Sequence, residues 1–369
     1  MIFNFISIIL GFSFFFYLFS KFPLIEDEVD QEDRHSKDPL VSIIIPARNE
    51  ELNLPNLLND LDNQKYKIDE IICVDDDSTD ATAKIIEDSG AKYLNINYLP
   101  SGWKGKTWAC QNGAKEASGD LLLFVDADVR LSPSAVKLLV KHYKKYGNPI
   151  SVQPYHNVEK KHEYFSLFFN MIQICSTSLS IYKAKKHVGF YGPVLLISKN
   201  LFLKYDGYEA VKNSVIEDFN LGKFYNSKHI VIDLLMGGGK IKFKMYPNSI
   251  FEVVEGWSKN FSSGAISIKL SLFVLIFFWL VYLTVLPYEF FRSIVNKNYL
   301  LTLFTLLIYI LTIFKMNSSL KKIGSYPFIV SIIYPVYLLF FHIVFFYSLF
   351  GTYLFKTTKW KGRNMKEDK

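Results

Sequence analysis

Asp126 and Asp128 stand one residue apart, directly after the apolar run 121–125. Two carboxylates at that spacing offer hard oxygen donors that suit Mg2+ or Mn2+. Such a cation can hold a nucleotide diphosphate whose own charge the aspartates would otherwise repel. Alone, the pair reads equally well as solvated acids in a loop, so the neighbouring chemistry has to decide. Polar clusters of the same kind follow other apolar runs: Pro46-Ala47-Arg48-Asn49-Glu50, then Asp75-Asp76-Asp77-Ser78-Thr79-Asp80. Ser78 or Thr79 can cap a following helix, but three successive acids exceed any capping need. In Gly102-Trp103-Lys104-Gly105-Lys106-Thr107, backbone N–H groups at a helix start and two lysines can meet a diphosphate. A lysine pair on a loop is by itself weak evidence, because such pairs are ordinarily solvated.

The elements that must position these groups show in the hydrophobic pattern. Short apolar runs at 41–45, 71–74, 91–96 and 121–125 read as strands, with Pro46 ending the first. Helices are predicted at about 50–63, 79–88 and 106–117. Alternating strand and helix argues for an α/β fold with a mostly parallel sheet, whose ligand site lies outside the carboxyl ends of the strands. Every cluster above follows such a strand or opens the next helix, so the clusters are expected to converge.

Taken together, Pro-Ala-Arg-Asn-Glu at 46–50, Asp-Asp-Asp-Ser-Thr-Asp at 75–80, Gly-Lys-Thr-Trp-Ala-Cys-Gln-Asn-Gly at 105–113, Asp-Ala-Asp at 126–128 and Glu-Asp at 217–218 resemble the family 2 inverting glycosyltransferases of the GT-A (Rossmann-like) fold. Each motif is loose alone, and the five in the family's order are specific. The Gly-Trp-Lys-Gly-Lys segment, the terminal apolar segments and Lys-Trp-Lys-Gly-Arg at 359–363 resemble the membrane-bound branch that glycosylates carotenoid acids. Hopanoid-associated transferases share much of this layout.

The resemblance implies a UDP-sugar donor, UDP-glucose first, and transfer of a single hexose to the carboxyl group of a C30 carotenoid acid with inversion. The alternatives are a hopanoid or other polyprenyl-type isoprenoid lipid as acceptor, or an inactive nucleotide-sugar-binding scaffold. By the same resemblance Asp76 contacts the uracil edge, and Glu50 lies near the nucleoside with Pro46 and Arg48. Asp126 lies near the ribose or the ion, Asp128 on the metal, and Lys106 with Lys104 by the diphosphate. Asp218 is the catalytic base with Glu217 supporting it. A carboxylic acid acceptor complicates that last role, because a group with an ordinary pKa of about 4 is already ionised near neutral pH. Placing it beside Asp218 is repulsive unless a cation or shared proton intervenes. Lys212, Lys223 and His187 are candidates for that cation. The processive members' Gln-x-x-Arg-Trp motif is missing from the corresponding region at 255–260, which disfavours polymer synthesis.

Composition sets the surroundings. At 369 residues, 50% hydrophobic and with a net charge of +7, the chain is long enough for two parts and apolar enough for membrane segments. Its charge suits anionic head groups or a phosphorylated substrate; without a basic helix or stacking platform, nucleic acid is not an expected partner. The expected layout is a transmembrane anchor at 1–22, an acidic tether at 23–38, the GT-A domain at 39–262, membrane-embedded helices at 263–355 and a basic cytoplasmic tail at 356–369. This describes a multi-pass protein of a bacterial cell membrane with its catalytic domain facing the cytoplasm. Apolar stretches at 268–290 and 327–350 are long enough to cross, while 298–314 is at the lower limit. Three crossings would put the basic tail outside, against the positive-inside preference, so one of the three is expected not to span. The stretch 164–182 reads either as a helix packed on the sheet or as an interfacial helix serving an apolar acceptor. Trp257 reads as a stacking platform or a buried aromatic. Cys73, Cys110 and Cys175 lack ligand spacing and are expected to be reduced core residues. The histidines are expected to be structural.

Overall fold

The computed structural model describes residues 2–25, 37–182, 189–214, 216–266, 268–350, 357–360 and 363–366. Most of the acidic tether and His187 lie outside them. The chain divides into an α/β unit, Pro23–Tyr155 with Lys186–Lys244, and a helical unit, Met1–Phe22, His156–Lys185 and Met245–Lys369. Residues 156–185 and 245–262, assigned from sequence to the sheet domain, therefore belong to the helical unit.

The α/β unit is built on a seven-stranded sheet. Its strands, in spatial order, are β3 (Lys92–Asn95), β2 (Glu70–Asp75), β1 (Val41–Ala47), β4 (Leu121–Val125), β8 (Val194–Ser198), β6 (Ile150–Gln153) and β9 (Asp233–Met236). The first four are mutually parallel, and β8 runs antiparallel to both β4 and β6. All five residues of β4 and the first five of β1 are buried, which is why these strands are continuous apolar runs rather than alternating ones. β1 passes through Pro46 to Ala47 instead of stopping there. Its pairing with β4 ends at Ile44, so a residue without an N–H is tolerated beyond that point. Two short strands, β5 (Val129–Leu131) and β10 (Ile241–Phe243), pair antiparallel, and β7 (Tyr155–His156) ends the unit's first segment.

The helices of this unit are α2 (Leu54–Asp62), α3 (Thr82–Asp88), α4 (Gly105–Glu116), α5 (Ala135–Tyr146), α7 (Lys199–Lys204) and α8 (Glu217–Ser227). In α2 the buried side chains are Leu54, Leu57, Leu58 and Leu61, one stripe at helical spacing. α3 starts at Thr82, later than Ser78 or Thr79 would cap it; Asp80 accepts the Thr82 N–H at 3.0 Å instead. Ser78 and Thr79 bind the first loop: Asn49 donates its N–H to Ser78 Oγ at 3.0 Å, and Asn49 Oδ1 accepts the Thr79 N–H at 2.8 Å.

The helical unit contains α1 (Ile2–Leu18), α6 (Leu167–Ser176), α9 (Ile250–Ile266), α10 (Leu270–Val295), α11 (Tyr299–Ile323), α12 (Phe328–Ile332) and α13 (Tyr334–Phe350), with the pair β11 (Thr357–Trp360) and β12 (Arg363–Lys366) near the carboxyl end. Among the described residues α10, of 26 residues, and α11, of 25, are long and apolar enough to cross a membrane; α1 and α13 have 17 each. This reverses part of the sequence expectation. The run at 298–314 ends at Lys315 in the sequence, but the helix continues because Lys315 Nζ donates to the Phe19 carbonyl at 2.6 Å, just beyond the end of α1. The run at 327–350 is split at Ile333, since Pro335 cannot donate to the Ser331 carbonyl four residues back.

Within 164–182, α6 (Leu167–Ser176) has eight of its ten residues buried, as expected of a packed helix. Phe169 stacks on Trp257 with ring centroids 4.9 Å apart, and Trp257 Nε1 donates to Ser166 Oγ at 3.0 Å, so Trp257 is a buried aromatic. His156 is buried with Glu163, Asn170 and Tyr326; Asn170 Nδ2 donates to Tyr326 Oη at 2.9 Å. His142 bonds Asp233 at 2.9 Å. All three cysteines are free and buried.

Trp279 is fully buried against Phe15, Phe19 and Phe168, whereas Phe277 is 51% exposed. Trp279→Ala is expected to lower the thermal midpoint of the detergent-solubilised chain by several degrees through the cavity it leaves. Phe277→Ala should leave it within about a degree; equal effects would contradict this packing.

Candidate active site

Strand register brings the polar clusters together. Ala47 pairs with Asp75, so the next residues, Arg48 and Asp76, leave their strands side by side. Arg48 Nη1 donates to the Asp76 carbonyl and lies 3.5 Å from its carboxylate. On the other side, Val125 pairs with Val194 of the antiparallel strand β8, and Asp126 donates its N–H to the Pro193 carbonyl at 2.9 Å. Gly192 and Asp126 are neighbours for that reason. α8 opens with Glu217 and Asp218, two acids in a first turn, where the exposed N–H groups favour negative charge.

Lys106, in the first turn of α4, ties these pieces together. Its ammonium lies 2.8 Å from the Asp126 carboxylate, 3.6 Å from Asp218 Oδ2 and 3.2 Å from the Gly192 carbonyl. A Cβ at Gly192 would sit 2.1 Å from Asp218 Oδ2 and 3.0 Å from Lys106 Nζ, so only glycine lets acid and lysine close on the backbone here. Gly105 does the same at the start of α4, where a Cβ would come within 2.0 Å of Asp76 Oδ2. The two lysines of the loop part company: Lys104 Nζ pairs with Glu217 at 3.2 Å, away from the Asp126 side. Glu50 is held by its N–H on Thr82 Oγ1 at 2.8 Å. Pro46 belongs to β1 and contributes to the strand's course rather than to the charged groups.

The electrostatics follow from crowding. Burial first, then Asp126 and Glu50, raise the Asp128 carboxyl against the opposing pull of Lys106, to about 7. Asp126 is likewise raised by burial, with Lys106 holding it down and Asp218 and Glu50 pushing it up. Burial alone would lower Lys106, but Asp126 and Asp218 outweigh it and keep the ammonium charged. The site is therefore acid-rich, and its single tightly shared ammonium leaves Asp128 poorly compensated. That pattern fits a divalent cation on Asp128 and Asp126. Among the described residues no group of three His, Cys, Asp or Glu forms a ready cage, so further ligands would come from a diphosphate and water.

Residues 42–209 match the family model "Glycosyl transferase family 2". A 4,4'-diaponeurosporenoate glycosyltransferase of Staphylococcus haemolyticus is 36% identical over 248 residues, covering 65% of this chain and 66% of that one. The protein of the same name from Staphylococcus aureus is 30% identical over 339 residues, 88% of this chain and 87% of that one. The chain belongs to glycosyltransferase family 2. A mannosyltransferase of Pyrobaculum calidifontis, solved with GDP-Man and Mn2+, superposes with a TM-score of 0.50 at 12% identity, covering 93% of this chain and 96% of that one; the two share the GT-A fold.

Within this family 2 glycosyltransferase the structure brings Arg48 to Asp76, Lys104 to Glu217, and Lys106 to both Asp126 and Asp218. One participant escaped the motifs. Tyr208 donates its hydroxyl to Asp218 Oδ1 at 2.8 Å. In sequence it follows Asp206-Gly207, which reads only as a turn; both residues do have positive φ, 60° and 55°.

Ionised Asp128 is destabilising without a cation. Its folded value of about 7 lies above the ordinary aspartate value of about 3.9, so stability falls as pH rises between the two and levels off above 7. In EDTA, Asp128→Asn is expected to raise the thermal midpoint most at pH 8, with the gain shrinking towards pH 4. A pH-independent difference would contradict this account of the crowding.

Proposed function

We propose that the chain transfers one hexose, glucose from UDP-glucose, to the carboxyl group of a C30 carotenoid acid, 4,4'-diaponeurosporenoate, giving a glycosyl ester with inversion. The observation that carries this reading is the convergence of Asp126 and Asp218 on Lys106, beside Asp128, at the strand ends. The names of the relatives supply the acceptor class.

In this reading Asp76, Arg48 and Glu50, with Pro46 near the end of β1, hold the nucleoside, while Asp128 and Asp126 would hold Mg2+ or Mn2+. The bound cation neutralises charge on the departing diphosphate. Lys104, drawn to the first turn of α8 by Glu217, places a second positive charge at the same end of the site. Asp218 faces the acceptor. A hydroxyl acceptor would give its proton to Asp218 as a bond forms to the anomeric carbon. An ionised carboxylate brings no proton and needs a cation beside Asp218 instead. In this reading Lys106, 3.6 Å from Asp218, is that cation. The apolar acceptor would reach the enzyme from the bilayer, with α10 and α11 as membrane helices of a bacterial cell membrane and the sheet unit on the cytoplasmic side.

The test is to express the chain in membranes that make the C30 acid and look by mass for a hexose adduct on it. An adduct on a hopanoid or another polyprenyl lipid would replace the acceptor. No UDP binding with Mn2+ or Mg2+ would favour an inactive scaffold. With active protein, Asp218→Asn is expected to reduce turnover roughly a hundredfold or more with a long-chain alcohol, and less with the acid. Equal near-complete loss with both would sink the distinction between the two acceptors.

A further inference from the structure

Tyr208 is built into the core as a rigid donor. It is 1% exposed, its ring lies edge-on to Phe124 at 6.0 Å and to Phe202 at 5.9 Å, and its N–H bonds Gln111 Oε1 at 2.9 Å. Gln111 is anchored in turn, its Nε2 donating to the Asp206 carbonyl at 3.3 Å. A buried phenol must place its O–H on an acceptor, and a structural tyrosine commonly uses a backbone carbonyl. This one bonds Oδ1 of Asp218. The other carboxylate oxygen, Oδ2, lies towards Gly192 and Lys106.

We propose that Tyr208 is a positioning residue for Asp218: its hydroxyl fixes Oδ1 and so presents Oδ2, beside Lys106, to the acceptor. The proposal rests on the reading of Asp218 as the residue that acts at the acceptor. With water as acceptor, an O–H bond breaks and its proton passes to Oδ2. The oxygen bonds the anomeric carbon, and the bond from that carbon to the diphosphate oxygen breaks with its electron pair leaving on UDP. A carboxylate free to rotate would meet that proton in the wrong orientation much of the time. Because Tyr208 is buried with its hydroxyl committed to Asp218, donor binding is expected not to change.

The experiment measures UDP release from UDP-glucose by the purified full chain with Mn2+, for wild type, Tyr208→Phe, Asp218→Asn and the double variant. UDP affinity and thermal midpoint serve as checks on folding. Tyr208→Phe is expected to lower kcat on the order of tenfold with KM for UDP-glucose unchanged. In the Asp218→Asn background the same change should have no further effect. Additive losses, or a raised KM with kcat intact, would overturn the proposal. A loss in Asp218→Asn with none in Tyr208→Phe would overturn it while leaving the Asp218 reading in place. No loss in Asp218→Asn would overturn both.

Discussion

The α/β unit's chemistry depends on one ammonium shared between two carboxylates. Lys106 stands between Asp126, at the end of a parallel strand, and Asp218, at the start of α8, and it also caps the Gly192 carbonyl. Bringing Asp126, Asp128, Glu50 and Asp218 into one recess stores repulsion, and Asp128 carries the residue of it. A lysine is suited to this position because its compact charge can face three oxygens from different elements at once; an arginine's planar fork would impose a fixed geometry. The same crowding keeps the lysine charged.

The sheet explains how acids from distant parts of the sequence can share that lysine. Parallel strands β1, β2 and β4 end at one edge, so their trailing residues arrive together. β8 enters in the opposite sense, and the residues preceding it, Gly192 and Pro193, therefore arrive at the edge that β4 leaves. Without the reversal, the backbone before β8 would lie at the far end of the sheet and Lys106 would lose its carbonyl partner. The antiparallel strand is thus part of the site's construction.

Much of this was legible in the sequence, for physical reasons. Strands buried on both faces are continuous apolar runs, so 41–45, 71–74 and 121–125 show themselves, and an acid directly after such a run has to stand at the sheet edge. The pairing within the site was not legible. Lys104 and Lys106 look alike two residues apart, and only the change from the extended N-cap Lys104 to the first turn of α4 sends one to Glu217 and the other to Asp126. Tyr208 was hidden because nothing local marks a tyrosine whose hydroxyl partner is ten residues on, across a turn. In the helical unit, Lys315 ended an apolar window that the helix does not respect, since a lysine can be satisfied by a carbonyl contributed from residue 19. Composition records where a charge is and not what meets it.

The electrostatic problem of the folded site and that of the proposed reaction are the same. A fold that gathers acids needs a cation to exist, and an ionised acid approaching Asp218 as nucleophile needs one to enter. A hydroxyl acceptor would pose no such demand, because it brings no charge towards the acids. In the proposed reaction, the placement of Lys106 against Asp218 as well as Asp126 offsets the charge that an ionised nucleophile would bring. On that reading the lysine that offsets the crowded acids of the fold is also the group that admits the acceptor.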